Sequence, residues 1–549
     1  MDRKRPLLTV VVPVYNQAGT IVKNVSTIRE RVESGLGEPI ELIVVSDGSI
    51  DASEERLLED NSHRARVIHY QRNLGKGFAI KAGSLAATGS WIAYVDADLD
   101  LDPAAIPRFL ERARAEALDF AIGSKRHPES RVHYPAARRV SSWLFQQLVR
   151  ALFRLDVRDT QVGIKVFQRQ IAEEVMPLLL VKQYAFDLEL LAVANAFGFG
   201  RIGELPIALD YRFTGSGVRS IAVFNALLDT GAIFYRLRIL RYYQRRRALL
   251  IERGVRRTTE QPSKVTVVTA DSRLAERLNY PNLEVLELDD QTPLARRRAA
   301  ERAGGGVIAF VGADGTPAGN WLDSTVPFLE HPDIAAVVVP TMTPAEGSNR
   351  ERAAGAVWES RLGGGSLHFR FTPGNLRFVE LFPAQTIVVR RNDLMELKAE
   401  DASEHRLVAA LTANGKRVVY TPDTVVVRRE PPLFRPHLAK AAEFGRGRGR
   451  EVGELGVGAL RPLTLAPLGV VALAVGSVPI TLSGPFGRRF VAAAWALYVA
   501  LVLGGAASAS LRHRSARVGL LTAAGSVATH LTYGAAFVRG LVSGARQRP

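Results

Sequence analysis

The chain has 549 residues, 47% of them hydrophobic and 23% charged, a balance that excludes both a disordered chain and a fibrous repeat. It contains no cysteine, which excludes a disulfide scaffold, thiolate zinc sites, iron–sulfur clusters and a cysteine nucleophile. The formal net charge is +17 and 61 of the 72 basic residues are arginine, whose planar fork suits phosphate groups; phosphorylated substrates, anionic lipid headgroups and nucleic acid all satisfy that charge.

In chain order, Leu8–Val14 is a β-branched run of the kind that forms a buried parallel strand. A helix is expected from about Gly19 to Ser34, then a strand at Ile40–Val45 that ends in Ser46-Asp47-Gly48-Ser49. A third strand follows at Arg66–Tyr70, a helix at Gly77–Thr88 and a fourth strand at Trp91–Val95. Strand–helix alternation predicts an α/β domain with a largely parallel sheet. Ligands of such sheets sit at the carboxyl ends of the strands, where Asn16, Asp47, Asn73 and Asp96 stand. This unit is expected to cover residues 1–240. A basic aromatic stretch at Phe234–Arg247 opens a linker over 241–262, suited to an anionic membrane surface or to solvent. No nucleic-acid recognition motif accompanies it.

A second alternating unit is expected over 263–450, with strands at Lys264–Thr269, Leu283–Leu288, Val307–Val311 and Ile334–Val339. Its layout echoes the first, leading to Ala313-Asp314-Gly315 where the first unit has its acids. Pro462–Leu482, Phe490–Leu511 and Val518–Val538 are free of Lys, Arg, Asp and Glu, and each is about long enough to cross a bilayer. They predict a membrane region of two or three helices over 455–541, the third being the weakest.

The chemistry concentrates at Asp96-Ala-Asp-Leu-Asp100. In extended geometry alternate side chains share a face, so Asp96, Asp98 and Asp100 are expected to converge on one hard cation, Mg²⁺ or Mn²⁺. His69, His127 and His133 have no partners at metal-ligand spacing. Gly75-Lys76-Gly77 lacks the spacing of a P-loop, and no G-x-G-x-x-G follows the first strand.

Four motifs occur in order: Val12-Pro-Val-Tyr-Asn16, Val44-Val-Ser-Asp-Gly-Ser-Ile-Asp51, Arg72-Asn-Leu-Gly-Lys-Gly77 and Asp96-Ala-Asp98. The set resembles the family-two inverting glycosyltransferases of GT-A fold, and within them the branch that makes dolichyl- or polyprenyl-phosphate sugars. Further segments agree: Gly123-Ser-Lys-Arg126, Arg158–Lys165, Phe186-Asp-Leu-Glu189 and Arg212–Arg219.

The resemblance implies a nucleotide-diphospho-sugar donor, a polyprenyl-phosphate acceptor and a hexose transferred with Mg²⁺ or Mn²⁺. It implies catalytic roles for Asp96, Asp98, Arg126, Asp159 and Arg212, with Asp96, Asp98 and Asp100 as metal ligands. Pro13, Tyr15, Gln17, Asp47, Lys76, Lys125, Lys165, Asp187 and Arg219 are the implied substrate contacts. Ser46 and Gln17 stand where the family often has acids, which leaves base preference open. A phosphate acceptor is already anionic; a sugar hydroxyl would need a carboxylate base, for which Asp159 and Asp187 are the candidates.

In the second unit Pro293–Arg298 resembles the helix that enters the donor site, Glu400-Asp401 the acidic pair that supplies an acceptor base, and Phe444–Arg450 a basic gate. With Asp314 as the one remaining metal acid, this unit is either a degenerate partner or a second transferase. The expected fold is therefore α/β, two GT-A-like domains followed by an all-α transmembrane region. The expected location is a bacterial inner membrane, multi-pass, with the globular domains on the cytoplasmic side. Transfer to a glycan or glycolipid hydroxyl, or a non-catalytic nucleotide-sugar-binding scaffold, are the alternatives.

Overall fold

A computed structural model of the protein describes residues 5–130, 136–183, 185–208, 220–252, 263–278, 280–288, 290–455 and 466–546. The chain divides into two compact units. The first holds Met1–Ala313, Pro317–Val339 and Asn375–Thr424; the second holds Asp314–Thr316, Pro340–Gly374 and Val425–Pro549. Both seven-stranded sheets lie in the first unit, as two lobes, while residues 340–374 and 425–450 of the expected second domain fall in the second unit.

Seven strands make the sheet of the first lobe: β1 Leu8–Val14, β2 Glu41–Asp47, β3 Arg66–Tyr70, β4 Trp91–Val95, β5 Phe120–Ser124, β6 Ile164–Gln168 and β7 Ile202–Pro206, in the order β3-β2-β1-β4-β6-β5-β7. Every residue of β1 except Pro13 is buried, as its unbroken β-branched run requires. The sheet is mixed, where the sequence pattern predicts a largely parallel one. Residues 164–168 insert as a reversed strand, antiparallel to both β4 and β5. That insertion brings Gly163 and Lys165 to the tip of β4.

Helix α1, Ile21–Leu36, buries Ile21, Val25, Ile28 and Val32 and ends at Gly37 in the left-handed region, φ 75°. With Ile106, Phe109 and Leu110 of the helix Ala105–Ala115 it packs on Val10, Val12, Val44 and Val95. Each such side chain contributes about 1.5–3 kcal/mol on burial. Helix α2, Lys76–Ala86, packs on β1 and β2.

The sheet of the second lobe is built from β8 Val265–Thr269, β9 Leu283–Glu287, β10 Val307–Phe310, β12 Ile334–Val338, β14 Arg377–Phe378, β15 Ile387–Arg390 and β16 Arg417–Tyr420. Its order is β14-β16-β12-β15-β10-β8-β9. Taken from β9, this repeats β2-β1-β4-β6-β5-β7, including the reversed strand, since β15 is antiparallel to β10 and β12. The register repeats as well. Thr9 faces Ile92 across β1 and β4, and Thr266 faces Ile308 across β8 and β10.

Hydrogen bonds at the amino ends of these strands coincide. Thr9 Oγ1 donates to Glu41 and accepts from Gly89 N at 2.9 Å, while Thr88 N donates to Glu41 at 2.7 Å. Thr266 Oγ1 donates to Glu284 at 3.0 Å and accepts from Gly305 N at 2.9 Å, while Gly304 N donates to Glu284 at 3.0 Å. Arg169 N donates to Ser90 O and Arg391 N to Gly306 O. This matches Ile92-Ala-Tyr-Val-Asp-Ala-Asp98 to Ile308-Ala-Phe-Val-Gly-Ala-Asp314. Among the described residues the second lobe has no counterpart of β3 or of the helix before it: β9 is followed, after residues 288–292, by helix α3, Pro293–Arg302.

The second unit contains a small sheet of β11 Gly315–Pro317, β17 Val426–Arg428 and β13 Thr341–Met342. Its helices include α4 Asn349–Glu359, α5 Arg435–Leu455, α6 Ala466–Leu482, α7 Pro485–His513 and α8 Ala516–Ala545. Among the described residues α7 is the one helix long and apolar enough to cross a membrane, and α6 is a shorter apolar helix. Two or three spans were expected. The third apolar segment falls in α8, which packs against α4, α5, α6 and α7 and buries Thr522, Ser526, Thr529 and His530, polar groups that need protein partners. The expected basic gate, Phe444–Arg450, is part of helix α5. Its Gly445 and Gly449 lie against the backbone of α8 at Tyr533 and Phe537.

Candidate active site

The site forms where β1, β2 and β4 end. Tyr15 and Gln17 follow β1, half-buried, and Asn16 adopts φ 54°. This loop is stitched to the one after β2. Asn16 Oδ1 accepts from Ile50 N at 2.9 Å, Asn16 N donates to Ser49 Oγ at 3.2 Å, Gln17 N to Ser53 Oγ at 2.7 Å, and Ala18 N to Asp51 at 3.0 Å. Ser49 and Asp51, both within the motif after β2, thus build the site together with Ser53, which motif reading passed over; the signal was short polar side chains packed into one turn. Pro13 is half-buried opposite Val45.

Asp47 ends β2 and is 3% exposed. It accepts from Leu74 N at 2.7 Å, Gly75 N at 2.9 Å and Tyr70 Oη at 3.0 Å. Burial pushes its carboxyl up to about 6, against the opposing pull of those donors. Its oxygens therefore fix the loop that starts α2, where a base or ribose contact was expected. That loop crosses Gly48 (φ 61°) so closely that a Cβ there would lie 2.2 Å from the carbonyl carbon of Arg72. Only glycine fits.

Lys76 opens α2 and places its ammonium 2.5 Å from Asp96 Oδ1. Burial alone would lower its proton affinity; the carboxylates of Asp96, Asp187 and Asp98 overcome that and hold it above the ordinary lysine range. Asp96 is half-buried just past β4. A Cβ on Gly163 would lie 2.2 Å from Asp96 Oδ2, so the reversed strand shapes this carboxylate's seat.

The chain turns at Ala97-Asp98, and Leu99 takes φ 61°. This corrects the expectation of three converging ligands, because the extended alternation it relied on ends at Asp96. Among the described residues no group of three His, Asp or Glu side chains stands together as a cage, so Asp96, Asp98 and Asp100 do not converge in this structure. Asp100 N donates to Asp98 Oδ1 at 3.1 Å. The Asp98 carboxyl sits above the ordinary range, raised first by desolvation and then by the charges of Asp96 and Asp100. Carboxylates crowded in this way fit a hard divalent cation, which takes one or two of them and fills its shell with water and phosphate oxygens.

Beneath the turn, Lys165 is fully buried. Its ammonium lies 2.7 Å from Asp187 Oδ1 and 2.7 Å from Val162 O, and Tyr94 Oη also donates to Asp187. Lys165 and Asp187, expected to meet substrate, engage each other below the surface. Asp159 accepts from Lys125 N at 3.3 Å and Gln161 N at 3.1 Å; it shapes the turn carrying Lys125 and Arg126, both half-buried. Arg212 and Arg219 lie outside the described residues. The expected linker is in part structured: Tyr243 donates to buried Glu189 and Arg236 lies 3.1 Å from it, which pins the helix Tyr242–Glu252 to the first lobe.

The sequence has counterparts among known proteins. The model of the family described as "Glycosyl transferase family 2" matches residues 9–176. The human dolichyl-phosphate beta-glucosyltransferase is 31% identical over 258 residues, 44% of this chain and 78% of that one. The chain belongs to glycosyl transferase family 2. The glycosyltransferase AglD of Haloferax volcanii is 35% identical over 204 residues, which span 36% of this chain and 32% of that protein's length. The dodecaprenyl-phosphate galacturonate synthase of Rhizobium johnstonii is 26% identical over 42% of this chain and 67% of its own. Among solved structures, glucosyl-3-phosphoglycerate synthase from Mycobacterium tuberculosis, in complex with Mn²⁺, uridine-diphosphate-glucose and phosphoglyceric acid, is 18% identical and covers 42% of this chain and 80% of its own, with a TM-score of 0.33. This chain is accordingly a glycosyltransferase.

Proposed function

We propose that this glycosyltransferase moves a hexose from a nucleotide-diphospho-sugar to a polyprenyl phosphate, with inversion, at a membrane surface. The observation that carries the reading is the Lys76–Asp96–Asp98 constellation at the carboxyl edge of a family-two sheet. Its likeness to a dolichyl-phosphate glucosyltransferase and a dodecaprenyl-phosphate galacturonate synthase supports it.

The nucleotide lies along Pro13, Tyr15 and Gln17. Asp47 holds the 72–75 loop so that Lys76 meets the diphosphate, and Lys125 and Arg126 add positive charge there. A divalent cation on Asp96 and Asp98 would supply Lewis-acid neutralisation of the departing diphosphate. The acceptor phosphate oxygen attacks the anomeric carbon as the bond to the nucleoside diphosphate breaks, and no proton has to be removed. A sugar hydroxyl would need a base, and the Asp159 and Asp187 carboxylates are both engaged by protein groups.

The membrane reading rests on α7 and on exposed Trp143, Leu144, Leu227 and Leu228. These lie on the packed helices Ala136–Phe153 and Ser220–Phe234, close in sequence to exposed Arg238, Arg241 and Arg245. An apolar face bordered by arginine suits an anionic leaflet. We place both lobes at the cytoplasmic face of a bacterial inner membrane, with α6 and α7 as spans. The second lobe is a GT-A-type copy.

The test is to incubate purified protein with labelled nucleotide sugars, Mg²⁺ or Mn²⁺ and undecaprenyl phosphate, then extract the lipid phase. Label entering the organic phase in an Asp96- and Asp98-dependent way supports the proposal. Label appearing only on a glycan or glycolipid hydroxyl refutes the acceptor class.

A further inference from the structure

The second lobe keeps the scaffold of the first and has lost its chemistry. Gly312 stands in the place of Asp96 and Ile387 in the place of Lys165. At the same edge Arg296 of α3, 1% exposed, stacks over Phe310 at 4.9 Å and donates to Gln291 Oε1 at 2.8 Å. A buried arginine occupies that edge, with the Glu404 carboxylate near enough to oppose the loss of proton affinity that burial brings.

What the second lobe does offer is two carboxylates aimed at the first. Asp423 is fully buried, and Lys81 of α2, itself 7% exposed, brings its ammonium to 2.7 Å from Asp423 Oδ1. Asp323, in the helix Trp321–Thr325, pairs with Arg66 of β3. Gly319 N donates to His69 O at 3.3 Å, which closes the exposed edge of the first sheet. One residue ties these contacts into a block: buried Asn320 donates to Asp423 O at 3.1 Å and accepts from Thr424 Oγ1 at 2.9 Å.

Helix α2 is thus held at two levels. Its start is pinned by Asp47 to Gly75 and by Lys182 O, which accepts from Gly77 N at 2.9 Å. Its middle is pinned by Lys81, which reaches Leu179 O at 3.2 Å as well as Asp423. Lys76, which sits on Asp96, lies five residues from Lys81 on the same rigid helix. A buried ion pair adds little net stability compared with apolar contacts of the same size; what it adds is a defined geometry.

We infer that the second lobe serves as a brace for the donor helix of the first, with Asp423 as a positioning residue that sets Lys76 by way of Lys81. The inference rests on the donor-site reading given above. A shift of α2 moves Lys76 off Asp96 and loosens the diphosphate seat while leaving the acids in place, so the donor KM bears the effect and kcat does not. Misplacement of a positioning group by about 1 Å can cost up to a hundredfold. A displacement shared along a helix is expected to cost about tenfold.

The experiment compares Asp423→Asn with the wild type in the full chain, by amide hydrogen exchange and by donor kinetics. The expected result is faster exchange over 76–86 with exchange over 21–36 unchanged, a donor KM raised about tenfold and kcat within about twofold. If Asp423→Asn does not fold, Asp423→Glu keeps the charge on a longer arm. It is then expected to show the same local exchange and a smaller KM rise, about threefold. A folded variant with wild-type exchange over 76–86 and wild-type KM overturns the brace. A wild type that transfers no sugar defeats the donor-site reading instead, and exchange over 76–86 still decides whether Asp423 holds the helix.

Discussion

The two α/β lobes carry the same hydrogen bonds at the amino ends of their strands and different side chains at the carboxyl ends. Thr9, Glu41 and Gly89 in one lobe match Thr266, Glu284 and Gly305 in the other, bond for bond. At the opposite edge Gly312 stands where the first lobe has Asp96, and Ile387 where it has Lys165. The scaffold and the chemistry of this fold sit at opposite ends of the sheet, so one can be lost without the other.

The contrast breaks most readily at the acids. Asp96→Asn and Asp98→Asn are each expected to cut kcat by on the order of 10²–10³, while Asp314→Asn leaves transfer within about twofold; initial rates under saturating donor decide it. Loss of activity in Asp314→Asn alone would assign the chemistry to the wrong lobe.

The next effect concerns Asp47. Its folded carboxyl lies at about 6 against an ordinary 3.8, so the folded state holds this proton more tightly than the unfolded chain. The resulting stabilisation is present below about pH 4 and is lost as pH rises through about 6. Relative to Asp47→Asn, the wild type should lose on the order of 3 kcal/mol between pH 4 and pH 7. Chemical unfolding of both proteins at the two pH values checks this, and parallel curves would contradict it.

A glycine at the carboxyl edge of each sheet sharpens the comparison. A Cβ on Gly163 would strike Asp96 Oδ2 at 2.2 Å, whereas one on Gly312 would meet Gln385 O at 3.5 Å, an ordinary contact. Gly163→Ala should lower turnover about a hundredfold with little change in melting temperature. Gly312→Ala should do neither.

The smallest effect should be equal in both lobes. Thr9→Val and Thr266→Val each leave one buried backbone N–H unpaired, at a cost of about 1–3 kcal/mol, and unfolding midpoints of the two variants should shift alike.

Much of this was legible in the residues. The strand–helix alternation, the motif order and the acids after β4 all follow from β-branched runs and from short polar turns at strand ends. The reversed strand was not legible, because Ile164–Gln168 reads the same in either direction and only its neighbours set its sense. The triad of ligands failed for a related reason: alternation assumes an extended chain, and the turn at Ala97-Asp98 is decided by packing. Lys165 and Asp187 looked like substrate contacts because charge is visible in a sequence and burial is not. The third apolar segment met the length of a membrane span, yet its Thr522, Ser526 and Thr529 face protein. The Lys81–Asp423 pair, 342 positions apart in the chain, left no local signal at all.

The central claim, that the first lobe alone binds the donor through a cation on its acid turn, is tested most directly by calorimetric titration with a nucleoside diphosphate, with and without Mn²⁺. The wild type and Asp314→Asn should each show one site that Mn²⁺ strengthens, and the double variant Asp96→Asn/Asp98→Asn should lose that strengthening. A Mn²⁺-dependent site that survives in the double variant, or that disappears in Asp314→Asn, would contradict the account.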